Sequence, residues 1–158
     1  MTWTLQGLWV SLCSMCALTA IASETGVIIN TVFYFGIGLF IFGFCIEIIA
    51  DKQKSEFRAI PENRDKFINS GLWAKSRHPN FFGEIILWTG IAIMSLSSLN
   101  GLQYLTLISP IFTYLLLLYV SGVRMLEARA DVKWGNNDAY IQYKLSLIHI
   151  SEPTRRRG

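Results

Sequence analysis

Apolar residues fall into four runs, each long enough to cross about 30 Å of hydrocarbon. They extend from about Trp3 to Ile21, Val27 to Ala50, Phe81 to Leu99 and Leu102 to Val123. Short turns, Ala22 to Gly26 and Asn100-Gly101, separate the first pair and the second pair. A long charged segment, Asp51 to Asn80, lies between the pairs, and a second, Arg124 to Lys144, follows the last run. The pattern predicts an all-α, polytopic membrane bundle of four spanning helices with interfacial helices at one face. Gly36, Gly38 and Gly43 predict close helix contact along the second span. Pro110 predicts a kink in the fourth, because its nitrogen cannot donate to the ladder.

The charged segments carry the finer pattern. Pro79 pushes His78 out of the α region, so a helix should begin at about Pro79 or Asn80. Glu47, Asp51, Lys54 and Arg58 follow helical spacing and share a face of a helix continuing out of the second span. Ile60-Pro61-Glu62-Asn63 reads as a stop and turn. Asp65 to Trp73 reads as a short amphipathic piece on the interface, anchored by Phe67, Ile68, Leu72 and Trp73. Arg124 to Asp131 reads as helix with Arg124, Glu127 and Asp131 on one face. Trp134 to Lys144 reads as a turn followed by an aromatic-rich helix.

Composition agrees with a membrane protein: 52% of residues are hydrophobic and 16% charged. The net charge of +3 is small and segregated, so it speaks to topology rather than to nucleic acid. The turns after Ile21 and Leu99 hold no Lys or Arg. With four spans, both basic segments fall on one side, which the positive-inside rule makes cytoplasmic. Cys13, Cys16 and Cys45 lie in apolar runs and read as small apolar residues in helices, not a disulfide framework.

Arg77, His78, Asn80 and Glu84 cluster where the first charged segment meets the third span, and a glutamate there needs a partner or a wet cavity. Arg77, Arg58, Lys54 and Arg124 are cations able to hold phosphates, bidentately where Arg is used. Asn80 and Glu84 can bind amides or hydroxyls, and His78 can titrate. This set suits a polyanionic cofactor with a polar head, held beneath an apolar cavity for a lipid-like substrate. Zinc-type spacing is absent, so no metal site is expected. The basic patch equally suits simple anchoring to anionic membrane lipids.

A resemblance favours the cofactor. Glu47…Asp51-Lys52-Gln53-Lys54…Phe57-Arg58, Gly71-Leu72-Trp73, Ser76 to Glu84, Ser121 to Glu127 and Asp138-Ala139-Tyr140…Tyr143 resemble the steroid 5-alpha-reductase-like membrane superfamily, in its poorly characterised DUF1295-type branch. The similarity covers about Gln6 to Lys144. It implies an NADPH-dependent oxidoreductase that reduces a C=C bond conjugated to a carbonyl in a steroid- or lipid-like substrate. By motif, Asp51 and Arg58 would contact the adenosine and phosphate end and Asn80 the nicotinamide or its ribose. Arg77, His78, Glu84, Arg124 and Glu127 would complete the polar shell, with Lys54 among the phosphate-binding cations.

Family members carry further spans before the matched region, and the Tyr and Glu that polarise the substrate carbonyl come from them. The resemblance therefore implies that residues 1–144 hold the cofactor half of the fold and leaves the catalytic residues unassigned. The alternatives are an S-adenosylmethionine-dependent methyltransferase of the isoprenylcysteine type, which shares part of the Arg-His-Pro-aromatic-Gly core, and a non-catalytic membrane protein. From Leu145 the sequence resembles the in-frame translation of a transposase-type sequencing adapter, so residues 145–158 are expected to be a non-native tail.

Overall fold

A computed structural model of the chain describes residues 2–120 and 122–150. It is helical throughout, with no strand among the described residues. The α-helices are α1 (Thr2–Ala22), α2 (Thr31–Ala59), α3 (Pro79–Ser95), α4 (Ser109–Leu115), α5 (Val123–Trp134) and α6 (Asp138–Ile150). Three helical stretches, Thr31–Ala59, Pro79–Ser98 and Gly101–Trp134, are long and apolar enough to cross a membrane; α1 adds a shorter apolar stretch, Gln6–Ala22.

Helix α3 is the centre of the bundle, touching α1, α2 and α4, and its pairing with α2 is the most extensive. That pairing rests on glycines facing each other across the two helices. A Cβ built on Gly83 would sit 2.6 Å from the Gly43 carbonyl oxygen, and one on Gly90 would sit 2.8 Å from that of Gly36. Backbone therefore meets backbone, the arrangement that gives dispersion contacts where lipid supplies no hydrophobic drive. Gly36 and Gly43 play the expected part. Gly38 does not, having nothing within 4 Å, because it lies on the opposite side of α2 from α3.

Helices α1 and α4 join through side-chain hydrogen bonds. The buried Ser109 hydroxyl donates to the Cys13 carbonyl, and the Thr113 hydroxyl donates to Cys13 Sγ at 3.2 Å. All three cysteines are unbridged; Cys13 and Cys16 are buried, whereas Cys45 is exposed.

The turns depart from the sequence reading in informative ways. The second helix begins at Thr31, not Val27, because the Asn30 side chain accepts from Phe33 N–H at 3.0 Å and caps it. The fourth span is no kinked α-helix. It runs as a 3₁₀ helix (Gly101–Ile108), then α4, then a π-helical turn (Leu116–Val120). The change from 3₁₀ to α falls at Pro110, in the first turn of α4, where a missing N–H costs no ladder bond. Asn100 and Gln103 cap the start reciprocally, and Gly101 takes φ +53°, a region other residues disfavour.

The two Lys- and Arg-free loops meet at one end of the bundle, where Ile28 N–H donates to Ser98 Oγ and Asn30 Nδ2 to Ser97 Oγ, each at 2.8 Å. The charged segments gather at the other end. Helix α6 passes through residue 144 and continues to Ile150, whereas residues 151–158 of the expected tail lie outside the described residues, as does Ser121.

Candidate functional site

Four chain segments converge at the charged end. Helix α2 runs on beyond Ala50, carrying Lys54 and Arg58 outward until Ile60-Pro61 stops it. The chain returns through a 3₁₀ turn, Gly71–Ala74, bolted to α2. Gln53 Oε1 accepts from Leu72 N–H at 2.9 Å, and Trp73 Nε1–H donates to the Ala50 carbonyl at 3.0 Å. His78 then takes φ −140°, ψ 63°, outside the α region, and Pro79 opens α3, as the sequence predicts.

The stretch Asp65 to Trp73, expected to be an amphipathic piece on the interface, has regular structure only from Gly71, and its Asp65 to Ser70 part packs inward. That part is irregular, because Phe67 turns inward among Trp134, Tyr140 and Tyr143, with ring centroids 5.3 to 6.2 Å apart. Aromatic packing thus replaces the lipid anchor. The Tyr143 hydroxyl donates to the Trp73 carbonyl, which ties α6 to the turn after α2. Burial pushes that hydroxyl's pKa up, so it stays a donor at neutral pH.

These segments enclose a cavity of about 680 Å³. Of the nine residues picked from sequence, Lys54, Arg58, Arg77, His78, Asn80 and Glu127 line it. Asp51, Glu84 and Arg124 do not. Helical spacing gave Asp51 the right angle, but it sits about 10 Å short of Arg58 along the axis at 1.5 Å per residue. Glu84 is likewise one turn deeper into α3 than Asn80, and Arg124 lies over the Tyr119 ring at 5.4 Å.

Arg64, Lys66 and Lys133 line the cavity and were not picked. Their signal was only an excess of basic residues in an irregular segment and, for Lys133, its place at the end of α5. The lining therefore carries six basic side chains and one carboxylate, Glu127. Glu127 holds Arg77 in an ion pair and accepts from His78 Nε2–H at 2.7 Å. Lys133 pairs with Asp65 at 2.9 Å. Among the described residues no carboxylate lies within ion-pair distance of Lys54, Arg58, Arg64 or Lys66.

Depth sorts the two kinds of group. Arg77, His78 and Glu127 keep only 20–26% of their side-chain exposure, whereas Arg58, Arg64 and Lys66 are exposed at the mouth. Burial, with the Arg77 and Lys54 charges nearby, holds the His78 imidazole down to about 4. It is therefore neutral at pH 7, and its ring stacks on Phe81. Beside this pair the buried Asn80 Oδ1 has no hydrogen-bond partner among the described residues. An unmet buried acceptor costs free energy, so this one favours a donor brought by a ligand. The cavity thus has a charge-balanced, polar inner end and a cationic mouth. Among the described residues no three His, Cys, Asp or Glu side chains converge as metal ligands would.

No curated protein and no solved structure matches the chain. One protein-family model does, over residues 1–147, and its description is "Protein of unknown function (DUF1295)". The match covers nearly the whole sequence, including every residue of the cavity, and the chain accordingly belongs to the DUF1295 family.

Proposed function

We propose that the chain is a membrane oxidoreductase of the steroid 5-alpha-reductase-like group, holding NADPH in this cavity at the cytoplasmic face. The substrate would be a steroid- or lipid-like molecule with a C=C bond conjugated to a carbonyl. One observation carries the reading: four cations without a carboxylate partner among the described residues share a cavity with a buried acceptor that is unpaired among them. The cavity volume is within the range of about 300–1,000 Å³ usual for small-molecule sites.

Each lining residue has a task in this reading. Lys54, Arg58, Arg64 and Lys66 supply charge for the phosphates, the arginines bidentately. Asn80 Oδ1 accepts from an amide or hydroxyl of the polar head. Glu127 cancels the Arg77 charge, so the inner end suits an uncharged group. Phe67, Trp73, Phe81, Trp134 and Tyr143 wall the site and exclude water. Bound NADPH would supply the hydride; these residues bind and orient it. The cytoplasmic placement is supported by the gathering of basic segments at the cavity end and the Lys- and Arg-free loops at the other.

Thermal unfolding of the purified protein in detergent tests the reading. NADPH should raise the transition temperature, and S-adenosylmethionine, a sulfonium cation without phosphate, should not. Protection by S-adenosylmethionine alone would instead favour a methyltransferase of the isoprenylcysteine type.

A further inference from the structure

Two of the mouth cations, Arg64 and Lys66, sit on a strap just past the 3₁₀ turn Pro61–Asn63, where local backbone bonds (Arg64 N–H to the Pro61 carbonyl at 3.2 Å, Lys66 N–H to the Asn63 carbonyl at 3.0 Å) shape the strap but do not tie it to the rest of the cavity wall. The end of α5 does so through two adjacent residues. Lys133 Nζ donates to the Arg64 carbonyl at 3.2 Å and pairs with the Asp65 carboxylate at 2.9 Å. Trp134 Nε1–H donates to the Asp65 carbonyl at 2.7 Å. The fastened residue, Asp65, lies between the two cations. Its carboxylate is consumed by Lys133, which leaves Arg64 and Lys66 without an acidic partner among the described residues.

From this arrangement we infer that Lys133 and Trp134 are positioning residues: they fasten the strap so that Arg64 and Lys66 present a phosphate-binding pair at the cavity mouth. The assignment rests on the anion-binding part of the proposed function and adds that anion affinity is set from α5, through the strap. Lys133 also lines the cavity, so a direct contact with the ligand is the rival explanation, and the two differ in a double-mutant cycle.

The cycle combines Lys133→Met with Trp134→Phe, which keeps a ring against Phe67 but removes the N–H. Inorganic tripolyphosphate and NADPH are the probes, with apparent Kd read from ligand-dependent thermal unfolding in detergent. Lys133 and Asp65 retain 45% and 93% of their side-chain exposure, so the fold should tolerate losing the pair. We expect the pair of changes to weaken both probes about tenfold, a coupling of ordinary size. In an Arg64→Gln, Lys66→Gln background the same pair should cost less than about twofold, since nothing remains to position. Lys133→Arg should restore affinity when Trp134 is intact. Trypsin should cut faster after Arg64 and Lys66 in the α5 variant, because the strap is released.

An equal loss in both backgrounds would overturn the assignment in favour of direct contact, and no loss in either would overturn it outright. Should tripolyphosphate show the coupling while NADPH fails to bind, the nucleotide reading falls and the positioning role stands. Failure of the wild-type protein to bind either probe would remove both.

Discussion

Asn80 and His78 sit two residues apart and give opposite tests of the same cavity. The Asn80 acceptor is buried and unpaired, so Asn80→Ala removes a cost along with a small packing loss. The ligand-free protein should keep its stability within about 1 kcal/mol. The thermal shift produced by NADPH should vanish. A large loss of stability in the free protein would show that Asn80 serves the fold instead.

For His78 the folded-state value is about 4 against an ordinary 6.5. Between those values the unfolded chain binds a proton that the folded chain refuses. Stability contributed by neutral His78 is therefore present above about 6.5 and lost as pH falls toward 4. Unfolding followed at pH 7 and pH 4.5 should show a shallower decline for His78→Gln than for wild type. An unchanged decline would place the acid sensitivity elsewhere.

At the scale of elements, the α2–α3 pair makes a matched prediction. A Cβ on Gly83 would meet the Gly43 carbonyl oxygen at 2.6 Å and the Glu47 nitrogen at 2.8 Å, both backbone. Gly83→Ala should thus force the helices apart and cost about 1–3 kcal/mol. Gly38 on the same pair meets nothing, so Gly38→Ala should be neutral or stabilise by up to about 1 kcal/mol through helix propensity. Unfolding in a denaturing detergent ranks the two, and equal effects would argue against the close crossing. The sequence showed that α2 is rich in glycine but not which glycines face α3, since Gly36, Gly38 and Gly43 all lie in one apolar run. The start of α3 was more legible, because Pro79 acts through local backbone chemistry, whereas the apolar run from Val27 hid the Asn30 cap that starts α2 at Thr31. The segment around Phe67 was hidden too, because its packing partners Trp134, Tyr140 and Tyr143 lie far along the chain.

For the whole molecule, hydropathy and charge already separated an apolar bundle from one charged end, since both follow from composition alone. Six of the cavity-lining residues were legible because Lys54, Arg58, Arg77, His78, Asn80 and Glu127 crowd the helix ends that border that charge. Asp51 lies outside the lining because periodicity reports the angle around a helix and not the depth along it, and Glu84 because nearness to Asn80 in sequence does not fix depth either. Arg64, Lys66 and Lys133 escaped because their place depends on a tertiary contact between strap and α5. The resulting picture is a membrane bundle whose charged end forms a cavity with a cationic mouth and a charge-balanced inner pole.

The most direct test is the salt dependence of NADPH binding to the purified protein, set against an Arg58→Gln, Arg64→Gln, Lys66→Gln variant. The account predicts that wild-type affinity falls steeply between low and physiological salt. In the variant, binding should be much weaker and much flatter, because three of the four unpaired cations are gone and only Lys54 remains. Equal affinity and equal salt response in the two proteins would contradict it.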